Sequence, residues 1–526
     1  MLSVKNPIMT GFFPDPSICR VGNKFYTVHS TFAYFPGVPV FESEDLVHWN
    51  LISNVLDRDS QVPLSGCQHS QGIFAPTIRY HKGTWYMITT NVSDQGNFIV
   101  TAKDPRGPWS EPYYLGESTG GIDPSLFFDD DGTCYYIGQR PRSAGYRYNG
   151  DCEIWIQTLD LDTMQLKPDA TIVLTGFQRK AIWPEGPHLY KKDGYYYILH
   201  AESGTSIHHS VMIARSKNVF GPYEYCPCNP ILTHRHLGAQ YPVTCVGHAD
   251  LVDDGNGNWY MVVLACRPNQ GYTLLGRETF LAKVTWEDGW PVVNAGVGHL
   301  EEVVTLPYEG QPSDDVPQCK TYTFDTPSLP LELLTLRNHR DRELELHAEE
   351  HIVRLFHRCD SLKDCGEPAY LALRQQHWNC EFETSFIPHF CKESDCAGIA
   401  MVQSNENHLR AECYPQDSGV KLVVSLCKDG KDSCLAQMDL PVAQVELAAL
   451  PIKLKLRVEG LVASVLYQSN SEWKPVISDI DLRSLSTEHA GGFVGCTLGL
   501  YASGNGEDAG GYSDFERMTY RELPTN

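Results

Sequence analysis

Three acidic residues open similar stretches of this sequence. Asp15 stands between two prolines in GFFPDPSIC (11–19), Asp123 lies in GGIDPSLFF, and Glu185 begins EGPHL. Each proline fixes its own φ and biases the preceding residue toward extended geometry, so Asp15 has few ways to move. A positioned reactive group needs that rigidity, and an ordinary strand-start turn shows it too. Recurrence decides between them. Using DPSI as a probe finds APTI at Ala75, DPSL at Asp123, EGPHL at Glu185 and HADL at His248, at spacings of 48 to 63 residues. Acids at matching positions of the first, third and fourth units, with few basic neighbours in sequence, look like a site.

Carboxylates gathered in one cavity suit glycoside hydrolysis. One protonated acid protonates the leaving oxygen, while an ionised one activates water or attacks the sugar. A third acid helps, because crowded like charges keep the general acid protonated near neutral pH. The same groups suit a hard cation such as Ca²⁺ or Mg²⁺, although here they come from separate units without a clustered Asp/Asn loop.

The elements that must position these residues are short strands. After each probe comes a turn and then an aromatic strand: VGNKFYTVHS, HKGTWYMITT, DDDGTCYYIG, KKDGYYYILH and DGNGNWYMVV. Each pair reads as a hairpin. Polar turns and further aromatics close most units, as in SEDLVHW and RSKNVFGPY. Five units of about four antiparallel strands, set radially around a channel, make a five-bladed β-propeller over residues 1–304. If each probe opens the innermost strand, Asp15, Ala75, Asp123, Glu185 (offset by one) and His248 all face the channel. A β-sandwich is the alternative for this half, but it gives no reason for a five-fold recurrence.

Residues 305–320, rich in Pro, Gly and Asp, read as a linker. Beyond it, 321–526 shows strand alternation: Leu454, Leu456 and Val458 share one face, and VVSLCKDGKDSCLAQMDL reads as a hairpin. This half is expected to be a β-sandwich, so the whole chain is all-β.

Composition narrows the partners. The formal net charge of −23 repels phosphate backbones and anionic membranes, so neither nucleic acid nor membrane is expected as a partner. The start of the sequence lacks the pattern of an export signal, so a cytoplasmic location is expected and the 18 cysteines are read as reduced, buried small residues. Their spacings make no zinc site.

The stretches GFFPDPSICRVGNKFYTVHSTFAYFPGVPVFESEDLVHW, QGIFAPTIRYH, GIDPSLFFDDDG, EGPHLYKKDGYYYILHAESGT and GHADLV closely resemble glycoside hydrolase family 43, in particular its two-domain β-xylosidases. The resemblance implies an inverting mechanism on a five-bladed propeller, with Asp15 as general base, Glu185 as general acid, and Asp123 tuning and orienting that acid. It implies substrate contacts from Arg277 in LGRETFL, Phe32, Phe74 and Thr205. Phe74 departs from the pattern, since many members carry tryptophan there. His248 matches an axial histidine that in some members helps hold a divalent cation, Ca²⁺ among them, and in others only lines the pocket.

The second domain then corresponds to a jelly-roll-like sandwich that packs on the propeller and sends a loop toward the site. The glycine-rich YASGNGEDAGGYSD is the candidate loop, with Tyr512 as a lid. The implied activity is exo-release of xylose from short β-1,4-xylooligosaccharides by an enzyme that forms dimers or tetramers. α-L-Arabinofuranosidase activity is the nearest rival, and a non-catalytic sugar-binding propeller the distant one.

Overall fold

The protein is described from a computed structural model that covers residues 1–524 apart from 117–119, 177–178, 311–317, 339, 418, 441–450 and 509. Five antiparallel sheets follow one another along the first half. The first is Ser17–Val21, Lys24–Val28, Gly37–Ser43 and Asn50–Leu56, and the second is Thr77–His81, Thr84–Asn91, Gly96–Ala102 and Tyr113–Tyr114. The third has five strands, Ile122–Phe128, Cys134–Pro141, Cys152–Asp160, Gln165–Leu166 and Thr171–Thr175. The fourth is Glu185–Lys192, Tyr195–Glu202, Ser210–Ser216 and Glu224–Tyr225, and the fifth is Thr244–Asp253, Trp259–Cys266, Glu278–Glu287 and Trp290–Val293. These are the blades of a propeller. The start of the chain closes the ring: Met9 bridges to Thr279 in the fifth blade, and Leu2–Lys5 pairs with Val303–Leu306. Residues 305 and 306 therefore belong to a strand rather than to the linker, and 311–317 of that linker lie outside the described residues.

The recurring probe has a structural meaning two residues further on, or three in the blade of Glu185, where the acid is offset by one. Ser17, Thr77, Ser125, His188 and Asp250 are buried at equivalent places, one per blade. Asp250 accepts hydrogen bonds from Ser17 Oγ at 2.8 Å, Ile18 N at 3.0 Å, Arg79 Nη1 at 3.1 Å and the Tyr190 hydroxyl. Arg79 Nη2 reaches His188 Nδ1 at 3.1 Å, and that ring contacts Ser125 Oγ at 3.2 Å. Burial works against the Asp250 charge, but Arg79, His188 and Tyr190 outweigh it and hold the carboxyl down at about 2. A satisfied polar ring of this kind locks the inner strands in register beneath the channel mouth.

The second half is a sandwich. One sheet is built around Asn379–His389, Ile452–Glu459 and Tyr512–Glu522, and the other around Cys396–Val402, His408–Gln416 and Thr497–Ser503. Leu454, Leu456 and Val458 point into the core with Phe382, Phe386 and Phe515. The expected hairpin is present as Gly419–Lys428 and Lys431–Leu440, turning at Asp429 and Gly430, which both have positive φ. All 18 cysteines are free thiols.

The halves share a core in which Phe12, Phe32 and Tyr34 pack with Leu334, Leu336, Tyr370 and Val494. Thr335–Leu336 pairs with Tyr34–Phe35 across the junction. The fully buried Arg337 donates to the carbonyls of Cys67 at 2.7 Å and Gly366 at 2.8 Å.

Candidate active site

The pocket at the channel mouth is built from local irregularities. Asp15, Asp123 and His248 all have φ between 50° and 55°, a conformation rare for residues with a side chain. Strand register shifts between Ile122 and Ser125, between Glu185 and His188, and between Gly247 and Ala249. Each bulge turns a side chain from the sheet toward the channel. The one-residue offset of Glu185 follows from crowding. The equivalent place in the fourth blade belongs to Gly186, at φ 59°, and a Cβ there would stand 2.9 Å from the His248 ring. The acid is carried one residue earlier instead.

Asp15, Asp123, Glu185, Phe32, Phe74, Thr205, His248 and Arg277 all line this pocket. Asp15 is 6% exposed. It accepts from Ser30 Oγ at 2.6 Å and from both Arg277 terminal nitrogens, Nη1 at 2.8 Å and Nη2 at 3.4 Å, with His248 Nδ1 3.5 Å away. Burial alone would raise its pKa, but Arg277, His248 and Ser30 together hold it below the usual carboxylate range. Asp123 accepts the Gly186 N–H at 3.0 Å. Burial pushes it up to about 6, with His248 pulling downward and the Asp15 charge upward. Burial, then the charges of Asp123 and Asp15, hold Glu185 well above the usual range, with only Arg277 opposing. One pocket thus keeps one carboxyl ionised and another protonated, the division of labour that acid–base hydrolysis needs.

Two neighbours went unnoticed in the sequence. His209 Nδ1 donates to the Cys245 carbonyl at 3.1 Å, and burial holds the ring neutral, with its pKa pulled down to about 3. Its Nε2 is left as an acceptor 4.0 Å from Glu185 Oε1. Among the described residues, that atom, Thr205 Oγ1 and Arg277 Nε are buried without a hydrogen-bond partner. Buried polar atoms are rarely left unpaired, and three around one pocket suit the hydroxyls of a ligand.

The other neighbour is Phe493, from the sandwich. Its ring lies 6.0 Å from Phe32 and 5.9 Å from Phe74, and its carbonyl accepts from Arg277 Nη2 at 3.4 Å. The three rings wall one side of the pocket. Glu488 anchors the loop by accepting from Thr273 N at 2.6 Å and Thr273 Oγ1 at 2.8 Å, and Cys496 N donates to Leu274 O at 2.8 Å. Gly276 makes the close approach possible: a Cβ there would sit 2.7 Å from Gly495 N and 2.8 Å from Phe12 Cβ.

Tyr512 is not at the pocket, which corrects the lid expectation. It begins the strand Tyr512–Glu522, where its ring packs tilted against His389 at 4.4 Å and lies under the Arg354 guanidinium at 3.8 Å. Sheet pairing with Phe356 and His389 fixes it inside the sandwich. The loop that reaches the site is the one carrying Phe493.

A divalent cation is one of the two alternatives at His248, and among the described residues no trio of His, Cys, Asp or Glu ligand atoms close enough to share an ion includes it. Among the described residues, the one trio of ligand atoms close enough to share an ion is His408, Cys427 and Asp432, in the sandwich. At His248 the adjacent carboxylate, Asp15, is already engaged by the Arg277 guanidinium.

Sequence and structure comparisons agree with this architecture. Residues 4–291 match the model of glycosyl hydrolases family 43, and residues 321–521 match the beta xylosidase C-terminal Concanavalin A-like domain. A xylosidase/arabinosidase of Butyrivibrio fibrisolvens is 50% identical over 99% of this chain and 100% of its own length. A non-reducing end alpha-L-arabinofuranosidase of Bacteroides ovatus is 37% identical over 99% of this chain and 95% of its own. The crystal structure of a xylan beta-1,4-xylosidase from Bacillus halodurans superposes with a TM-score of 0.89 at 34% identity, covering 99% of this chain and 100% of that one. With its two halves matching both family models and with relatives covered along nearly their full length, the chain belongs to glycosyl hydrolase family 43.

Proposed function

We propose that this glycoside hydrolase releases xylose from the non-reducing ends of β-1,4-xylooligosaccharides with inversion. The observation that carries the reading is the opposite displacement of two carboxyls in one pocket, Asp15 downward and Glu185 upward. Ionised Asp15 takes a proton from water as the water oxygen attacks the anomeric carbon. Protonated Glu185 gives its proton to the glycosidic oxygen as that bond breaks, and the product carries the opposite anomeric configuration. Asp123 keeps Glu185 protonated by charge, and Arg277 fixes Asp15 while offering Nε to the sugar. The Phe32, Phe74 and Phe493 rings present apolar faces to the ring being cleaved.

α-L-Arabinofuranosidase activity in the same pocket is the second reading, favoured by the names of the Butyrivibrio and Bacteroides relatives. Parallel kcat/KM measurements on xylobiose and on arabinosyl-xylooligosaccharides test both. Faster turnover of xylobiose is expected. Release of arabinose alone would replace the first reading with the second, and no release from either would leave a sugar-binding protein.

The charge coupling predicts a pH effect. Activity requires Glu185 protonated, so the alkaline limb of kcat/KM follows its pKa. Asp123→Asn keeps an acceptor for the Gly186 N–H but removes a negative charge that favours protonated Glu185. Its alkaline limb is therefore expected at lower pH than in the wild type. An unmoved or upward-shifted limb would show that Asp123 does not tune the acid.

The donor set at His248 leads to a further expectation. Exhaustive chelation should leave the rate unchanged. Loss of activity restored by Ca²⁺ would instead reveal a cation held largely through water.

A further inference from the structure

A second cavity, of about 300 Å³, lies between propeller and sandwich, on the far side of the segment that carries Asp15. Its innermost charged group is Arg374, 6% exposed, at the end of strand Ala369–Arg374. Nε donates to the Phe12 carbonyl at 3.0 Å, and the guanidinium lies 4.7 Å from the Phe12 ring and 4.5 Å from the Phe13 ring. Among the described residues Nη2 is buried with no hydrogen-bond partner and Arg374 forms no salt bridge. The contrast with the other buried arginines is direct. Arg79 and Arg410 have carboxylates, and Arg337 has carbonyls and the Asn405 amide oxygen. Burial works against the Arg374 charge, and the one ionisable neighbour that favours it is the Tyr34 phenol. A guanidinium stays protonated in proteins, and one that lines a cavity with ring faces and a carbonyl but no carboxylate beside it is an anion acceptor.

The rest of the cavity indicates which anion. Trp49 offers an aromatic wall, with its indole N–H already donated to the Leu46 carbonyl. Gln376 offers an amide held only by a long 3.4 Å contact to the Thr10 carbonyl. Glu332 faces the same space and is bound to the Tyr322 hydroxyl at 2.9 Å, with Lys320 3.7 Å away at the rim. An aromatic face beside amide and carboxylate groups suits a polyhydroxylated ring, whose hydroxyls can donate to Glu332. The Glu332 charge disfavours a dianion such as phosphate beside it. The volume falls at the lower end of the range for small-molecule pockets.

We propose that this interdomain cavity binds a monosaccharide-sized sugar acid, its single carboxylate paired with Arg374 and its ring against Trp49. The site is separate from the catalytic pocket and adjoins the Phe12–Phe13 stretch that leads into Asp15.

Calorimetric titration of the full chain with glucuronate, glucose and inorganic phosphate at constant ionic strength tests this. Glucuronate is expected to bind at least about tenfold more tightly than glucose, the factor of one charge-assisted pair, and more tightly than phosphate. Arg374→Met should abolish the binding. If that variant fails to fold, Trp49→Ala and the rim substitution Lys320→Met should each weaken glucuronate binding while leaving turnover of an aryl xyloside unchanged. Glucuronate should also fail to compete with that substrate. Competitive inhibition, equal binding of glucose, tighter binding of phosphate, or full affinity in either the Trp49→Ala or the Lys320→Met variant would each overturn the proposal.

Discussion

Asp15→Ala is expected to lower kcat on xylobiose and on an activated aryl xyloside alike, by on the order of 10⁴-fold. Water must be activated whatever group leaves, so the loss should not depend on the leaving group. The carboxylate is held for that task by Ser30 Oγ and by both Arg277 terminal nitrogens, on a left-handed backbone that departs from the extended geometry Pro16 favours in the residue before it. Removing it also leaves the Arg277 and His248 side chains without their acid, so folding is checked by circular dichroism. External azide, which needs no deprotonation, is expected to restore part of the rate on the activated substrate. Recovery of that kind separates a missing base from a collapsed pocket.

Glu185→Ala is expected to split the two substrates. Xylobiose has a sugar alkoxide as leaving group and should lose about 10³-fold or more in kcat/KM, whereas an aryl xyloside with a stable phenolate should lose far less. The pH profile should change with it: the alkaline limb set by the raised Glu185 pKa disappears on the activated substrate. If Glu185→Ala slowed both substrates equally while Asp15→Ala showed the leaving-group dependence, the acid and base assignments would be reversed.

The sequence disclosed the parts of the site that the fold repeats. Each blade opens its innermost strand with its probe, so four similar tetrapeptides and the pentapeptide EGPHL identified five channel-facing positions, including those of Asp15, Asp123 and His248. Glu185 was visible as an offset, but its cause was not. It depends on the His248 ring occupying the space above Gly186, a contact between residues of different blades. His209 was missed because it belongs to no probe; it stands just before the third strand of its blade, where a histidine reads as an ordinary strand-start residue.

The second domain's contribution was legible in kind and wrong in place. Both glycine-rich stretches near the end of the chain have an aromatic just after a glycine pair, Phe493 after Gly491–Gly492 and Tyr512 after Gly510–Gly511. Local pattern could not rank them. Docking does: Glu488 and Cys496 tie the first loop to Thr273 and Leu274 of the fifth blade, whereas Tyr512 is consumed by pairing within its own sheet. Such long-range contacts leave no periodic trace in the sequence. The strands around them did, because alternation such as Leu454, Leu456 and Val458 follows directly from the period of the pleat.

In the proposed mechanism water attacks the anomeric carbon directly, with Asp15 as its base and Glu185 protonating the departing oxygen. Proton NMR of a β-xyloside digest, recorded within the first turnovers and before mutarotation, reads this step. α-Xylose as the first-formed sugar is the predicted result. β-Xylose appearing first would mean net retention and a covalent glycosyl-enzyme, and would contradict the roles given to both carboxylates.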